Sequence, residues 1–94
     1  MNGLTLRQKV VIKNPQGFHM RPLTKFVEEA RRFHSRVFIY KDDERRDGTS
    51  PLELMTLGAE EGTELMLEVI GDDAQAALDV LVRIITSPSP EDLS

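Results

Sequence analysis

The chain is expected to fold as an α+β two-layer, open-faced sandwich: a four-stranded, largely antiparallel sheet with three helices on one face. Three observations predict this. Apolar residues alternate with polar ones in separate short stretches, recur at three-and-four spacing in others, and turn-forming residues stand between the two kinds. The resulting order is strand, helix, two strands, short helix, strand, long helix, which buries one sheet face and leaves the other wet. Ninety-four residues suit one domain with one core, taken as 1–86, with 87–94 as a flexible tail.

From Thr5 to Lys13, TLRQKVVIK sets Leu6, Val10 and Ile12 on one side of a two-residue alternation and Arg7, Lys9 and Lys13 on the other, as in a half-buried strand. Asn14-Pro15-Gln16-Gly17 follows as a turn, since proline presets φ and glycine supplies conformations other residues avoid. A helix starting at about Met20 aligns Leu23, Phe26, Val27, Ala30 and Phe33 on one face, opposite Lys25, Glu28, Glu29, Arg31 and Arg32. Val37 and Ile39 alternate with Phe38 and Tyr40 in a second strand, and Lys41 to Glu44 form a polar turn. Glu44 to Asp47 make a short third strand.

Ser50 then acts as an N-cap, with Pro51 at the first helical position and Glu53 completing a capping box. Leu54 and Leu57 face inward along this short helix, and Gly58 stops it. Glu64 to Ile70 alternates again, with Leu65, Leu67 and Val69 opposite Glu64, Met66, Glu68 and Ile70. Gly71-Asp72-Asp73 ends that strand and caps a last helix carrying Ala74, Ala77, Leu78, Leu81, Ile84 and Ile85 at helical spacing. The tail SPSPEDLS lacks the apolar residues needed to dock.

Composition narrows the function. Without cysteine there is neither a disulfide framework nor a thiolate metal site, and a reducing cytoplasm is the expected compartment. No signal peptide or membrane-length apolar run is legible, so no membrane insertion is expected. A formal charge of -4, with Arg31-Arg32 and Arg45-Arg46 set among acidic neighbours, argues against a nucleic-acid partner. His19 and His34 lack the companions a metal site needs, and no metal or cofactor is expected.

The stretch Gly17-Phe18-His19-Met20-Arg21-Pro22 concentrates the chemistry. A helix beginning at Met20 points the backbone N–H groups of Met20 and Arg21 out of its N-terminus, while Pro22 has none to leave unsatisfied. Such an end attracts anions, and the Arg21 guanidinium matches phosphate oxygens. Beside them, a neutral His19 imidazole is a competent nucleophile near neutral pH. These parts suit a phosphohistidine; the competing reading is an exposed polar residue that merely starts a helix.

NPQGFHMRP before an amphipathic helix, then SPLELMTLG about thirty residues on, resembles the histidine-containing phosphocarrier (HPr) family of the phosphoenolpyruvate-dependent sugar phosphotransferase system. Gly17, His19, Arg21, Pro22, Leu57, Gly58, Gly62 and Thr63 stand at matching positions, and the likeness runs from about Leu6 to Ile85. It implies that His19 takes a phosphoryl group from Enzyme I and hands it to IIA domains of sugar permeases. Gly17, Met20 and Arg21 would hold the phosphate, and Leu52 and Met55 would help dock partners. Ser50 falls where many members carry a serine phosphorylated by a regulatory kinase, although its capping role alone explains it.

Four positions depart from the family pattern: Gln16, Met20 in place of a small or hydroxyl residue, Leu23 in place of alanine, and Glu53 where a basic residue is frequent. Two further readings therefore stand beside a sugar phosphocarrier. One is a regulatory carrier of a nitrogen-type or incomplete chain; the other is a binding module of the same fold that has lost phosphotransfer. The wet sheet face is expected to carry Val11, Phe38, Tyr40, Met66 and Ile70, either as a second contact surface or as a pleated surface held by cross-strand pairs.

Overall fold

A computed structural model describes residues 4–89. Its elements are β1 (Leu4–Val11), α1 (Met20–Ala30), β2 (Arg36–Lys41), β3 (Glu44–Asp47), α2 (Pro51–Met55), β4 (Glu64–Gly71) and α3 (Ala74–Ile85). The sheet order is β1-β4-β2-β3 with every neighbouring pair antiparallel. Thus β1 and β2 run the same way with β4 between them, and α1 makes the crossover. The open-faced sandwich read from the sequence is the observed fold.

Alternation in β2 and β4 builds the core. Val37, Ile39, Leu65, Leu67 and Val69 are buried under Phe26 and Val27 of α1 and Leu81 and Ile84 of α3. These large side chains leave water together, each worth about 1.5–3 kcal/mol on full burial, so the crossover helices are held by their apolar stripes. Leu54 of α2 joins the same core, and Lys41 Nζ donates to the Leu57 carbonyl at 3.0 Å, tying the end of that short helix to β2.

Several boundaries differ from the sequence expectation. Helix α1 ends at Ala30, because Arg32 N–H turns back to the Glu29 carbonyl at 3.0 Å and closes a tighter turn. Phe33 therefore lies outside the helix, yet packs against the core. Strand β1 stops at Val11, although Ile12 still exchanges bonds with Thr63 (3.0 Å) and Gly62 (2.8 Å). The capping box is half formed: Ser50 Oγ accepts the Glu53 N–H at 3.3 Å, but Glu53 Oε1 accepts from Asp47 N–H at 3.0 Å rather than from Ser50.

Asp73 occupies the N-cap position of α3 without capping it. Its carboxylate accepts instead from His34 N–H at 2.8 Å, Ser35 N–H at 2.9 Å and the Ser35 hydroxyl. Those bonds join α3 to the turn that leads into β2.

The wet face is dressed by the chain's own side chains. Glu68, on that face, is only 4% exposed, with Arg7 Nε donating to one oxygen at 2.6 Å and the Tyr40 hydroxyl to the other at 3.0 Å. Phe38 lies under two guanidinium groups, Arg36 at 5.3 Å and Arg45 at 4.6 Å from the ring centroid, a cation–π arrangement. Phe38, Tyr40, Met66 and Ile70 are half-buried, and Val11 alone of the five is exposed. Arg7–Glu68 and Tyr40–Glu68 are cross-strand pairs on this face.

Candidate functional site

The site begins with a turn organised by one side chain. The Asn14 carbonyl accepts the Gly17 N–H at 2.8 Å, and Asn14 Oδ1 accepts the Gln16 N–H at 2.9 Å, an Asx turn. Gly17 follows at φ 76°, a left-handed conformation that costs glycine nothing. A Cβ there would sit 2.6 Å from the Ala59 carbonyl oxygen, so glycine is required for close approach as well as for shape. The next residue uses that approach: Phe18 N–H donates to the Ala59 carbonyl at 2.9 Å, while the Phe18 ring meets Phe26 edge-on at 5.8 Å.

With both preceding residues anchored, His19 emerges as the N-cap of α1 in an extended conformation, and its imidazole caps nothing. The first intrahelical bond runs from Leu23 N–H to the His19 carbonyl at 3.0 Å, so the amides of Met20 and Arg21 have no intrahelical acceptor. No acidic side chain stands in that first turn, and the positive end of the helix dipole is undiminished.

A cleft of about 360 Å³ opens beside the imidazole, lined by Asn14, Pro15, Gln16, His19, Arg21, Pro88 and Ser89. Arg21 is its charged residue. An anion seated there meets a guanidinium and a helix N-terminus within reach of a nucleophilic ring. Among the described residues no group of three or more His, Cys, Asp and Glu could hold a metal ion, and no helix is long and apolar enough to cross a membrane.

Of the residues singled out in the sequence, His19, Met20 and Arg21 come together at this helix end. Gly17 gives its N–H to the Asn14 carbonyl and shapes the turn that leads to His19. Leu23 is buried in the core, which places its extra bulk away from the cleft. Leu52, Met55 and Met20 are exposed to 77%, 53% and 54%. The Phe18–Ala59 bond ties the segment following α2 to the residue before His19, so Leu52 and Met55 belong to the same end of the molecule. Ser50 is engaged as the α2 cap.

Two features escaped the sequence reading. Asn14 is 5% exposed and its Nδ2 lies 3.4 Å from His19 Nε2; an Asn opening a Pro-containing turn was the available signal. Pro88 and Ser89 also reach the cleft, where Ser87 Oγ donates to the Ser89 carbonyl at 2.7 Å. The remainder of the expected tail, from residue 90, lies outside the described residues.

The model for the PTS HPr component phosphorylation site matches residues 6–87. The HPr-like protein Crh of Bacillus subtilis (strain 168) is 39% identical over 80 residues, 85% of this chain and 94% of its own length. The phosphocarrier protein HPr of Neisseria meningitidis serogroup B (strain MC58) is also 39% identical over 80 residues, covering 85% of this chain and 90% of that protein. The crystal structure of a phosphocarrier protein HPr from Bacillus anthracis str. Ames superimposes with a TM-score of 0.84 at 30% identity, covering 89% of this chain and all of that one.

Proposed function

We propose, because the chain belongs to the HPr family of phosphotransferase-system phosphocarriers, that His19 accepts a phosphoryl group from Enzyme I and passes it to IIA domains of sugar permeases. The observation that carries the reading is His19 at the N-cap of α1 with Arg21 lining the same cleft. The guanidinium and the helix end offset the phosphate charge. A cleft open to solvent admits a partner's active site, which a deep pocket would exclude. Leu52, Met55 and Met20 supply the exposed apolar surface for docking.

A relay experiment tests this. Labelled phosphate from phosphoenolpyruvate should pass through Enzyme I and this chain to a IIA domain, and His19→Ala should stop it at Enzyme I. Arrest at Enzyme I with the unaltered chain would refute the proposal.

A second reading is favoured by one observation: Crh, the Bacillus subtilis catabolite repression HPr, is as similar to this chain as a phosphocarrier HPr is. In that reading the chain regulates other proteins, and Ser50 is the residue a serine kinase would modify. Phosphate on Ser50 would meet the N-terminus of α2 favourably but face the Glu53 carboxylate. Label that leaves His19 for a regulator and never for a permease domain would support it.

A further inference from the structure

We infer that Asn14 is the positioning residue that sets where the proton sits on the His19 ring, and through it the lifetime of the phosphorylated state. The inference rests on the reading of His19 as the phosphoryl acceptor. Asn14 is buried, and a buried amide must satisfy both its ends. Its oxygen is committed, because the Gln16 N–H at 2.9 Å can be met only by an acceptor. The NH₂ end therefore faces the imidazole, with Nδ2 3.4 Å from Nε2.

An amide NH₂ donates and never accepts, so the nitrogen opposite must offer a lone pair. In the neutral ring the proton then resides on Nδ1, and Nε2 accepts from Asn14. Nδ1 can bond phosphorus only through its own lone pair, so for the attack the proton must first pass, through solvent, from Nδ1 to Nε2, and the Asn14 contact is given up for that step. On phosphorylation the Nδ1–P bond forms while the donor's bond to phosphorus breaks. The departing donor atom keeps that electron pair, and the Nε2 proton then passes to it or to solvent.

The product is a neutral ring with phosphate on Nδ1 and a lone pair on Nε2, the form Asn14 bonds. Hydrolysis reverses the balance: water adds its oxygen to phosphorus, the P–N bond breaks, and the ring must gain a proton to leave as neutral imidazole. Protonation at Nε2 before cleavage makes the ring a better leaving group. A fixed donor opposite Nε2 opposes that protonation and prolongs the phosphorylated state.

The test compares the ring-nitrogen ¹⁵N signals of the wild type with those of Asn14→Asp. Aspartate keeps an oxygen for Gln16 N–H but turns an acceptor toward Nε2. We expect Nδ1–H in the wild-type neutral ring and Nε2–H in the variant. After chemical phosphorylation of both proteins with phosphoramidate, the variant should lose phosphate about two- to tenfold faster at neutral pH, the range set by one net hydrogen bond. A wild-type ring protonated on Nε2 overturns the inference without recourse to any variant. A folded variant unchanged in either tautomer or lifetime overturns it as well. Phosphoramidate requires no Enzyme I, so failure here leaves the relay untouched, and failure of the relay leaves the tautomer result standing.

Discussion

Gly17 shows how one backbone angle places a reactive group. Its positive φ and the nearby Ala59 carbonyl leave no room for a side chain, and the bond from Phe18 to that carbonyl sets where α1 begins. Gly17→Ala should cost about 2 kcal/mol or more, combining left-handed strain with a backbone clash. A shift in the denaturant midpoint checks the stability, and the initial rate of His19 phosphorylation should fall with it. Gly17, His19 and Arg21 were legible in the sequence because they lie within five consecutive residues of one turn and helix start. Asn14 was legible as a turn residue only, since its contact with His19 depends on how that turn closes.

Among the elements, the joint between α3 and the start of β2 rests on Asp73. Its carboxyl is held below the usual carboxylate range, chiefly by the hydrogen bond from the Ser35 hydroxyl and then by the His34 backbone N–H. A lowered folded-state pKa means stability fully present above the unfolded value of 3.8 and lost as pH falls through the folded value. The acid limb of the stability curve should therefore be shallower in Asp73→Asn than in the wild type, as measured by urea unfolding between about pH 2 and pH 5. Equal acid limbs would show that the joint carries no such linkage. Sequence rules placed Asp73 at the helix start correctly but assigned it to the wrong amides, because its partners lie 38 and 39 residues away. Glu53 illustrates the same limit, since a capping rule cannot see that Asp47 offers a competing N–H.

At the scale of the whole molecule, one end carries the imidazole, the guanidinium and three exposed apolar side chains, while the wet sheet face carries an Arg7–Glu68–Tyr40 network. Periodicity revealed which residues face the core and which do not. It could not reveal that Glu68 would be buried on the outer face, because Arg7 is 61 residues and Tyr40 is 28 residues distant. Docking is predicted to use the first end. Leu52→Glu should leave stability within about 0.5 kcal/mol, as expected for an exposed position, yet raise the KM of Enzyme I for this chain about fivefold or more if Leu52 is a principal contact. Unchanged kinetics would move the docking surface elsewhere.

The central claim, that His19 carries the phosphoryl group, is tested most directly by intact-mass analysis after incubation with phosphoenolpyruvate and a cognate, active Enzyme I, with His19→Ala alongside. The wild type should gain one acid-labile phosphate and the variant none. No gain in the wild type, or an equal gain in both proteins, would contradict it.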